Sequence, residues 1–475
     1  MRAHVRLTIG AVALGLASIR ASAQGRPEID SLFARWDRTD SPGCTLGIVQ
    51  DGRVTYRRGY GMANLDYGIP NGPDIVYYVG SDSKQFTAAS IALLALAGRI
   101  SLDDDIRKYF PEMRDYGTRV TVRQLVYHTA GIRDIYVLMS LAGKRLEDVF
   151  SDAEALALIA RQKELNFTPG TDHLYSNSGY FLLGQLVKRV TGQSLRVFAD
   201  SAIFRPLGMT RTHFHDDPGH VMPMRSMAYE PDGSGGFRLS YIQNFDKIGA
   251  GGLYTTLDDL AKWDENYYTH RVGGDALQVL IHTRAVLASG DTLPYAFGNN
   301  VTRYRGQRIT EHSGALMGFR ADVLRFPDLH TSVITMCNLA NIAPEGIALR
   351  IADVILADRL GPRAAPAAAR APASVPATPA SGRPVDPRRI PGTYHSDEVD
   401  ATWTVRAAGS RWVVDHPPFR TDTLTDAGPG RFTTTLGAVL TFDAAATTPR
   451  WFSVEAGRVR NIRFDRRAGA AGARR

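Results

Sequence analysis

Val79-Gly80-Ser81-Asp82-Ser83-Lys84-Gln85-Phe86-Thr87-Ala88-Ala89 sets a serine and a lysine three residues apart at the mouth of an apolar run, Ile91 to Ala97. In a helix, three residues is nearly one turn, so Ser81 and Lys84 share a face. Gly80 marks the point where the chain turns in. Backbone N–H groups at a helix start carry no intrahelical partner and create a positive field. That field, with burial, depresses the lysine pKa and favours an amine able to take the serine proton. A lone serine–lysine pair of this spacing reads better as an ordinary helix start with a solvated lysine. The rest of the chain decides.

Working outward, Cys44 to Gln50, a turn at Asp51-Gly52 and Arg53 to Gly59 read as a β-hairpin, and Pro27 to Asp37 ahead of it as a short amphipathic helix. Beyond the Ser81 helix, Thr121-Val-Arg-Gln124 and Ser151-Asp-Ala-Glu154 have the form of capping boxes. An apolar helix with Tyr180, Leu183, Val187 and Val190 at helical spacing ends at Gly192, and Thr256 caps another that runs to Trp263. Strand-like runs return at Arg308–Gly314, Phe319–Phe326 and Thr331–Asn338, and Ile347 to Leu360 closes the unit as a helix. The expectation is an α+β domain: an antiparallel sheet built from N- and C-terminal strands, flanked by helices, with a helical subdomain in its middle third.

At 475 residues, 44% hydrophobic and 22% charged, the chain suits two soluble globular domains. Its formal charge of +8 gathers in Arg2, Arg6 and Arg20 and in an Arg-rich C-terminus. No basic helix interleaved with aromatics accompanies it, which argues against a nucleic-acid partner. Met1 to Ala23 reads as a secretory signal peptide, so the mature protein is expected in the periplasm or secreted, without stable membrane insertion. The main domain then spans 24–360. An Ala/Pro-rich linker follows over 361–387 and an all-β module, sandwich or barrel, over 388–467. Export permits a disulfide between Cys44 and Cys337, but both lie in strand-like runs and are read as two buried thiols.

Three motifs occur in order: Ser81-x-x-Lys84, Tyr175-x-Asn177, and His312-Ser313-Gly314 on a strand. Together they resemble the serine penicillin-recognising superfamily, which comprises class C β-lactamases, DD-peptidases, esterases and D-aminopeptidases. The resemblance runs from about Pro42 to Leu360 and includes His128-Thr-Ala-Gly131, Pro206-Leu-Gly-Met209, Gly251-Gly252-Leu253 and Gly318-Phe319. It implies that Ser81 is the acylated nucleophile, Lys84 its proton acceptor, and Tyr175 a phenol acidified by nearby lysine charge. Asn177 would bind the substrate's acyl-side amide and brace Lys84. The N–H groups of Ser81 and Ala315 would form an oxyanion hole, with Ser313 beside them. Gly314 would let substrate lie against the strand. Since base assignment in such enzymes is disputed, Lys84 and Tyr175 are treated as a coupled pair.

His312 departs from the lysine that many members of the superfamily carry. A largely neutral histidine turns the expectation from β-lactamase toward the peptidase and esterase branches. The expected function is therefore an exported serine hydrolase of small peptides, amides or esters, with no metal and no cofactor. The rivals are a β-lactamase and a non-catalytic penicillin-recognising sensor; the β-module is a candidate homo-oligomer contact. His213, His215 and His220 match no common zinc spacing and are read as a solvated loop. His128 is read as ordering a turn near the site, and Tyr77 and Tyr78 as packing beneath the nucleophile.

Overall fold

The computed structural model describes residues 26–240, 248–363, 385–416, 418 and 420–467. The leader and nearly all of the Ala/Pro-rich segment lie outside the described residues.

The hairpin forms as read: β1 (Cys44–Gln50) and β2 (Arg53–Tyr60) pair antiparallel, joined by Asp51 and Gly52 at φ 48° and 72°. Two consecutive positive φ values make the tight turn whose twist suits a hairpin. Four later strands, β3 (Asn300–Tyr304), β4 (Gln307–Leu316), β5 (Phe319–Phe326) and β6 (Thr331–Cys337), complete a sheet ordered β3-β4-β5-β6-β1-β2. The first and last strands of the unit thus meet at its centre, where β1 pairs with β6. Both are buried along nearly their whole length, because helices cover both faces. In that register Cys44 stands directly opposite Cys337, and a disulfide joins them. This corrects the expectation of two free thiols. Strand propensity located both cysteines, but only the pairing register sets their side chains face to face.

Helix α1 (Ser83–Leu96) runs through the core and is buried on nearly all sides. Its polar residues are satisfied inside: Thr87 Oγ1 donates to the Gly249 carbonyl at 2.8 Å and Ser90 Oγ to Phe86 at 2.8 Å. Helix α2 (Ile135–Leu141) packs on α3 (Asn177–Thr191), which lies against α1, and α4 (Leu257–Thr269) meets α1 through Trp263 and Phe86; α5 (Pro344–Ile355) covers the other face of the sheet. Both capping boxes form, at Thr121 with Gln124 and Ser151 with Glu154. The N-terminal helix is shorter than expected, Pro27–Asp30, yet Ile29, Phe33 and Trp36 are buried as read. His213 and Phe214 form a short strand against Leu253–Thr255, and His215 is buried, so this is not a solvated loop. Among the described residues no group of three or more His, Cys, Asp or Glu side chains could hold a metal ion. None of their helices is long and apolar enough to cross a membrane.

The C-terminal module is a closed barrel of eight consecutive antiparallel strands. They are β7 (Gly392–Ser396), β8 (Ala401–Ala408), β9 (Arg411–His416), β10 (Arg420–Asp426), β11 (Arg431–Thr434), β12 (Val439–Phe442), β13 (Trp451–Ala456) and β14 (Val459–Arg466). Alternate residues fill the interior, with Trp403, Phe452 and Phe464 packed together. The barrel docks on the larger unit, residues 27–360, through buried polar contacts. Arg133, wholly buried, donates to Glu398 Oε2 at 2.6 Å and to the Asn461 carbonyl at 3.0 Å. Trp403 Nε1 donates to the Leu141 carbonyl at 3.3 Å.

Candidate active site

Ser81 sits in the single 3₁₀ turn Gly80–Asp82 that precedes α1, and Lys84 lies in the first turn of α1 itself. Such a turn eclipses residues three apart, so the two side chains share a face as the spacing predicts. Lys84 is fully buried, and its Nζ stands 3.2 Å from Ser81 Oγ, 2.9 Å from Asn177 Oδ1 and 2.5 Å from the Ala250 carbonyl. Burial holds this amine well below the usual lysine range; the Asp134 carboxylate opposes that shift and the Arg458 cation adds to it. Two carbonyl oxygens and one hydroxyl surround it, so that an amine which has shed its proton can keep its two N–H groups on the carbonyls and turn its lone pair to the Ser81 O–H.

Asn177 begins α3, and Asp134 caps α2. The Asn177 backbone N and its Nδ2 both donate to Asp134 Oδ2 at 2.8 Å, which aims Oδ1 at Lys84. Ala250 belongs to Gly249-Ala-Gly-Gly252. Gly249 has φ 111°, and a Cβ there would lie 2.5 Å from the Tyr180 carbonyl. Only glycine lets this loop present its carbonyl to the lysine.

Tyr175 shows part of its ring to the cleft, but its hydroxyl is buried and, among the described residues, has only the Ser81 hydroxyl near it, without the geometry of a full hydrogen bond. The ring lies 4.2 Å from His128 between centroids, with Lys84 Nζ at 4.7 Å and the Arg458 guanidinium at 4.5 Å from its centroid. Burial raises the phenol pKa, and the nearby Ser81 hydroxyl and Arg458 charge only reduce that rise. The expected acidified phenol is therefore overturned. A buried phenolate loses more hydration than these neighbours return.

The imidazoles are fixed as neutral tautomers. His128, at φ 58°, accepts the Ser176 N–H at Nδ1, 3.1 Å, so its Nε2–H donates to the Tyr295 hydroxyl at 3.1 Å. His312 gives its Nδ1–H to the Ser313 carbonyl at 2.7 Å, so its Nε2 accepts from the same Tyr295 hydroxyl at 3.4 Å. His312 is buried, and desolvation, with the nearby lysine, pushes its pKa down to about 3. It is not a solvent-facing strand residue and offers no cation.

Strand β4 packs against the nucleophile turn. A Cβ on Gly314 would lie 1.8 Å from the Val79 carbonyl and 3.1 Å from Ser81 N; one on Gly80, at φ 55°, would lie 2.6 Å from Ala315 N. Gly314 is thus required for seating the strand under the turn, rather than for letting substrate approach. The same packing sets Ala315 N beside Gly80 and Ser81 N beside Gly314, while Ser81, Ser313 and Ala315 line the cleft. Tyr77 is buried and bonds Asn71 and Thr45, and Tyr78 lines the cleft and accepts the Gly252 N–H at 3.2 Å. Sequence reasoning missed Asp134, Tyr295, the Ala250 carbonyl and Arg458. Arg458 reaches the site from the β13–β14 turn of the barrel and stands 3.7 Å from Asp134 Oδ2. The glycine of Ala456-Gly457-Arg458 is a turn signal, but nothing local says what the turn approaches.

A beta-lactamase family model matches residues 29–358, more than two thirds of the 475-residue chain. The chain belongs to the beta-lactamase family. Its relatives include the D-aminopeptidase of Gluconobacter oxydans, 31% identical over 318 residues, and that of Brucella anthropi, 31% identical over 315. These alignments take in 67% and 66% of this chain but 59% of either relative, so the chain spans little more than half their length. Among solved structures, the octameric penicillin-binding protein homologue of Pyrococcus abyssi superposes with TM-score 0.62 at 20% identity. The match covers 92% of this chain and 99% of that one, and so takes in the barrel.

Proposed function

We propose that this protein is a serine hydrolase that cleaves peptides, amides or esters of the D-amino-acid type through an acyl-enzyme on Ser81. One observation carries the reading: the buried Lys84 Nζ lies within hydrogen-bond reach of Asn177 Oδ1, the Ala250 carbonyl and Ser81 Oγ at once, so that with its proton shed, as burial favours, two N–H groups serve the carbonyls and the lone pair serves the Ser81 hydroxyl. As Ser81 Oγ attacks the carbonyl carbon, its proton passes to Lys84 and the oxyanion faces the Ser81 and Ala315 N–H groups. The resulting ammonium keeps its two carbonyl partners. Tyr175, protonated by virtue of its burial, donates to the leaving nitrogen or oxygen and is reprotonated from Lys84. Water then repeats the sequence on the acyl-enzyme, releasing the acid and freeing Ser81. The names of the relatives support the D-amino-acid branch, and a neutral His312 argues against a β-lactamase that relies on a cation at this position.

A fluorophosphonate probe should label the wild type and not Ser81→Ala; equal labelling of both would remove the nucleophile. A panel of D-amino-acid p-nitroanilides, p-nitrophenyl esters and nitrocefin ranks the substrate classes, and nitrocefin far ahead of the others would overturn the reading of His312. We further propose export to the periplasm or medium. The Met1–Ala23 segment and the Cys44–Cys337 disulfide support it, and the mature protein should begin at Gln24 on N-terminal sequencing.

A further inference from the structure

The cleft over Ser81 is about 750 Å³ and does not end at the hydrolase unit. Ser81, Tyr175 and His312 line one end; Trp403, His416, Arg420 and Leu436 of the barrel line the other. Helix α2 joins the two. Its cap, Asp134, holds Asn177, and the Leu141 carbonyl near its last turn accepts the Trp403 indole N–H at 3.3 Å. Seven helical residues rise about 10 Å, a distance that extended peptide covers in about three residues. Val137 and Leu141 give this wall an apolar face.

The barrel end has the chemistry of a binding surface. Leu436 stands 70% exposed in the β11–β12 turn at the rim. His416 is buried against the Trp403 ring at 3.9 Å, and its Nε2 lies 3.2 Å from Asp422 Oδ2 without making a hydrogen bond. Arg420, held by Asp422 at 2.5 Å, still faces the cleft. At the other end, the Arg458 guanidinium lies 4.5 Å from the Tyr175 ring centroid and 3.7 Å from Asp134 Oδ2, filling the space beside the reacting carbonyl with an ion pair rather than with an unpaired carboxylate for a free α-ammonium.

We propose that the acyl donor is an N-extended peptide rather than a single amino acid with a free amine. Its chain passes Asn177, follows α2 and lays an apolar residue on Leu141 and Leu436, with the Arg420 guanidinium donating to a backbone carbonyl. The proposal rests on the serine hydrolase reading only for which carbonyl reacts, and its test needs no turnover. In Ser81→Ala protein, titration calorimetry compares N-acetyl-Leu-Gly-D-Ala amide with D-alanine amide. The tripeptide should bind at least about tenfold tighter, the worth of burying one leucine side chain. Leu436→Asp, in an exposed turn outside the barrel core, should cut that preference to about twofold. Equal affinities, no binding of the tripeptide, or a preference that survives both Leu436→Asp and Arg420→Ala would overturn it. Probe labelling of wild-type Ser81 reports on the hydrolase reading separately.

Discussion

At the residue scale, Lys84 carries the proposed chemistry at a cost to the fold. Lys84→Met keeps the stem and removes the amine, so kcat/KM should fall by about 10²–10⁴, the range for a lost general base. The same change removes a group whose charged form burial disfavours, so it alters how stability depends on pH. The folded pKa lies below the unfolded value of about 10.4, so between the two the unfolded state binds more protons and wild-type stability rises with pH. The stability of the wild type relative to Lys84→Met should therefore rise from pH 7 toward 10, as read from urea midpoints. For the wild type, kcat/KM should rise with pH through the depressed Lys84 pKa and level off below the usual lysine range. Tyr175→Phe tests the acid: amide hydrolysis should fall by about 10²–10⁴ and p-nitrophenyl ester hydrolysis far less, since p-nitrophenolate leaves without a proton. Ser81, Lys84, Tyr175 and Asn177 were legible because each sits in a short motif whose order along the chain is specific. The direction of the Tyr175 shift was not, because its ring is covered by His128 and Arg458, which arrive from elsewhere in the chain.

At the element scale, the sheet was readable from alternation and from the Asp51-Gly52 turn, whereas part of the barrel was not. Strand β10, Arg-Thr-Asp-Thr-Leu-Thr-Asp, buries only Asp422 and Leu424, so its apolar signal is too thin to mark it. The contact that sets Arg458 is equally silent in sequence. Asn166 Nδ2 donates to the Arg458 carbonyl at 3.0 Å, and Asn166 Oδ1 accepts the Arg460 N–H at 2.8 Å, so one side-chain amide clamps the β13–β14 turn. Asn166→Ala should cost about 1–3 kcal/mol for the partners left unmade, measured by urea denaturation. It should also lower kcat/KM as Arg458 loses its station over Tyr175. Lowered stability with unchanged kcat/KM would mean that the barrel holds the turn unaided.

At the scale of the whole molecule, a long Ala/Pro-rich connection suggests two bodies that fold apart, but the contacts between them argue for one. Arg133 and Glu398 form an ion pair with side chains 0% and 4% exposed, and Gln162 and the Lys163 N–H join it. Separating the units would bare a charge in each buried face, and removing one partner of such a pair costs about 3–5 kcal/mol. The barrel is closed, so it offers no strand edge to a neighbour, and any assembly through it must use side chains. Multi-domain chains commonly unfold in steps; here a single calorimetric transition is expected. The disulfide provides the check, because Cys44 and Cys337 lie in the central strands of the sheet, in the unit that does not include the barrel. Cys44→Ser with Cys337→Ser should remove about 2–5 kcal/mol. If the two units unfold together, the barrel must lose that stability as well. Trp403, Trp412 and Trp451 report on the barrel by fluorescence, and Trp36 and Trp263 on the other unit. With the latter two replaced by phenylalanine, the barrel signal should shift down in step with the calorimetric midpoint when the cysteines are changed. A barrel signal that stays put while the calorimetric transition divides would show two independent bodies, and the Arg133–Glu398 contact would then be a docking that opens before either unit melts.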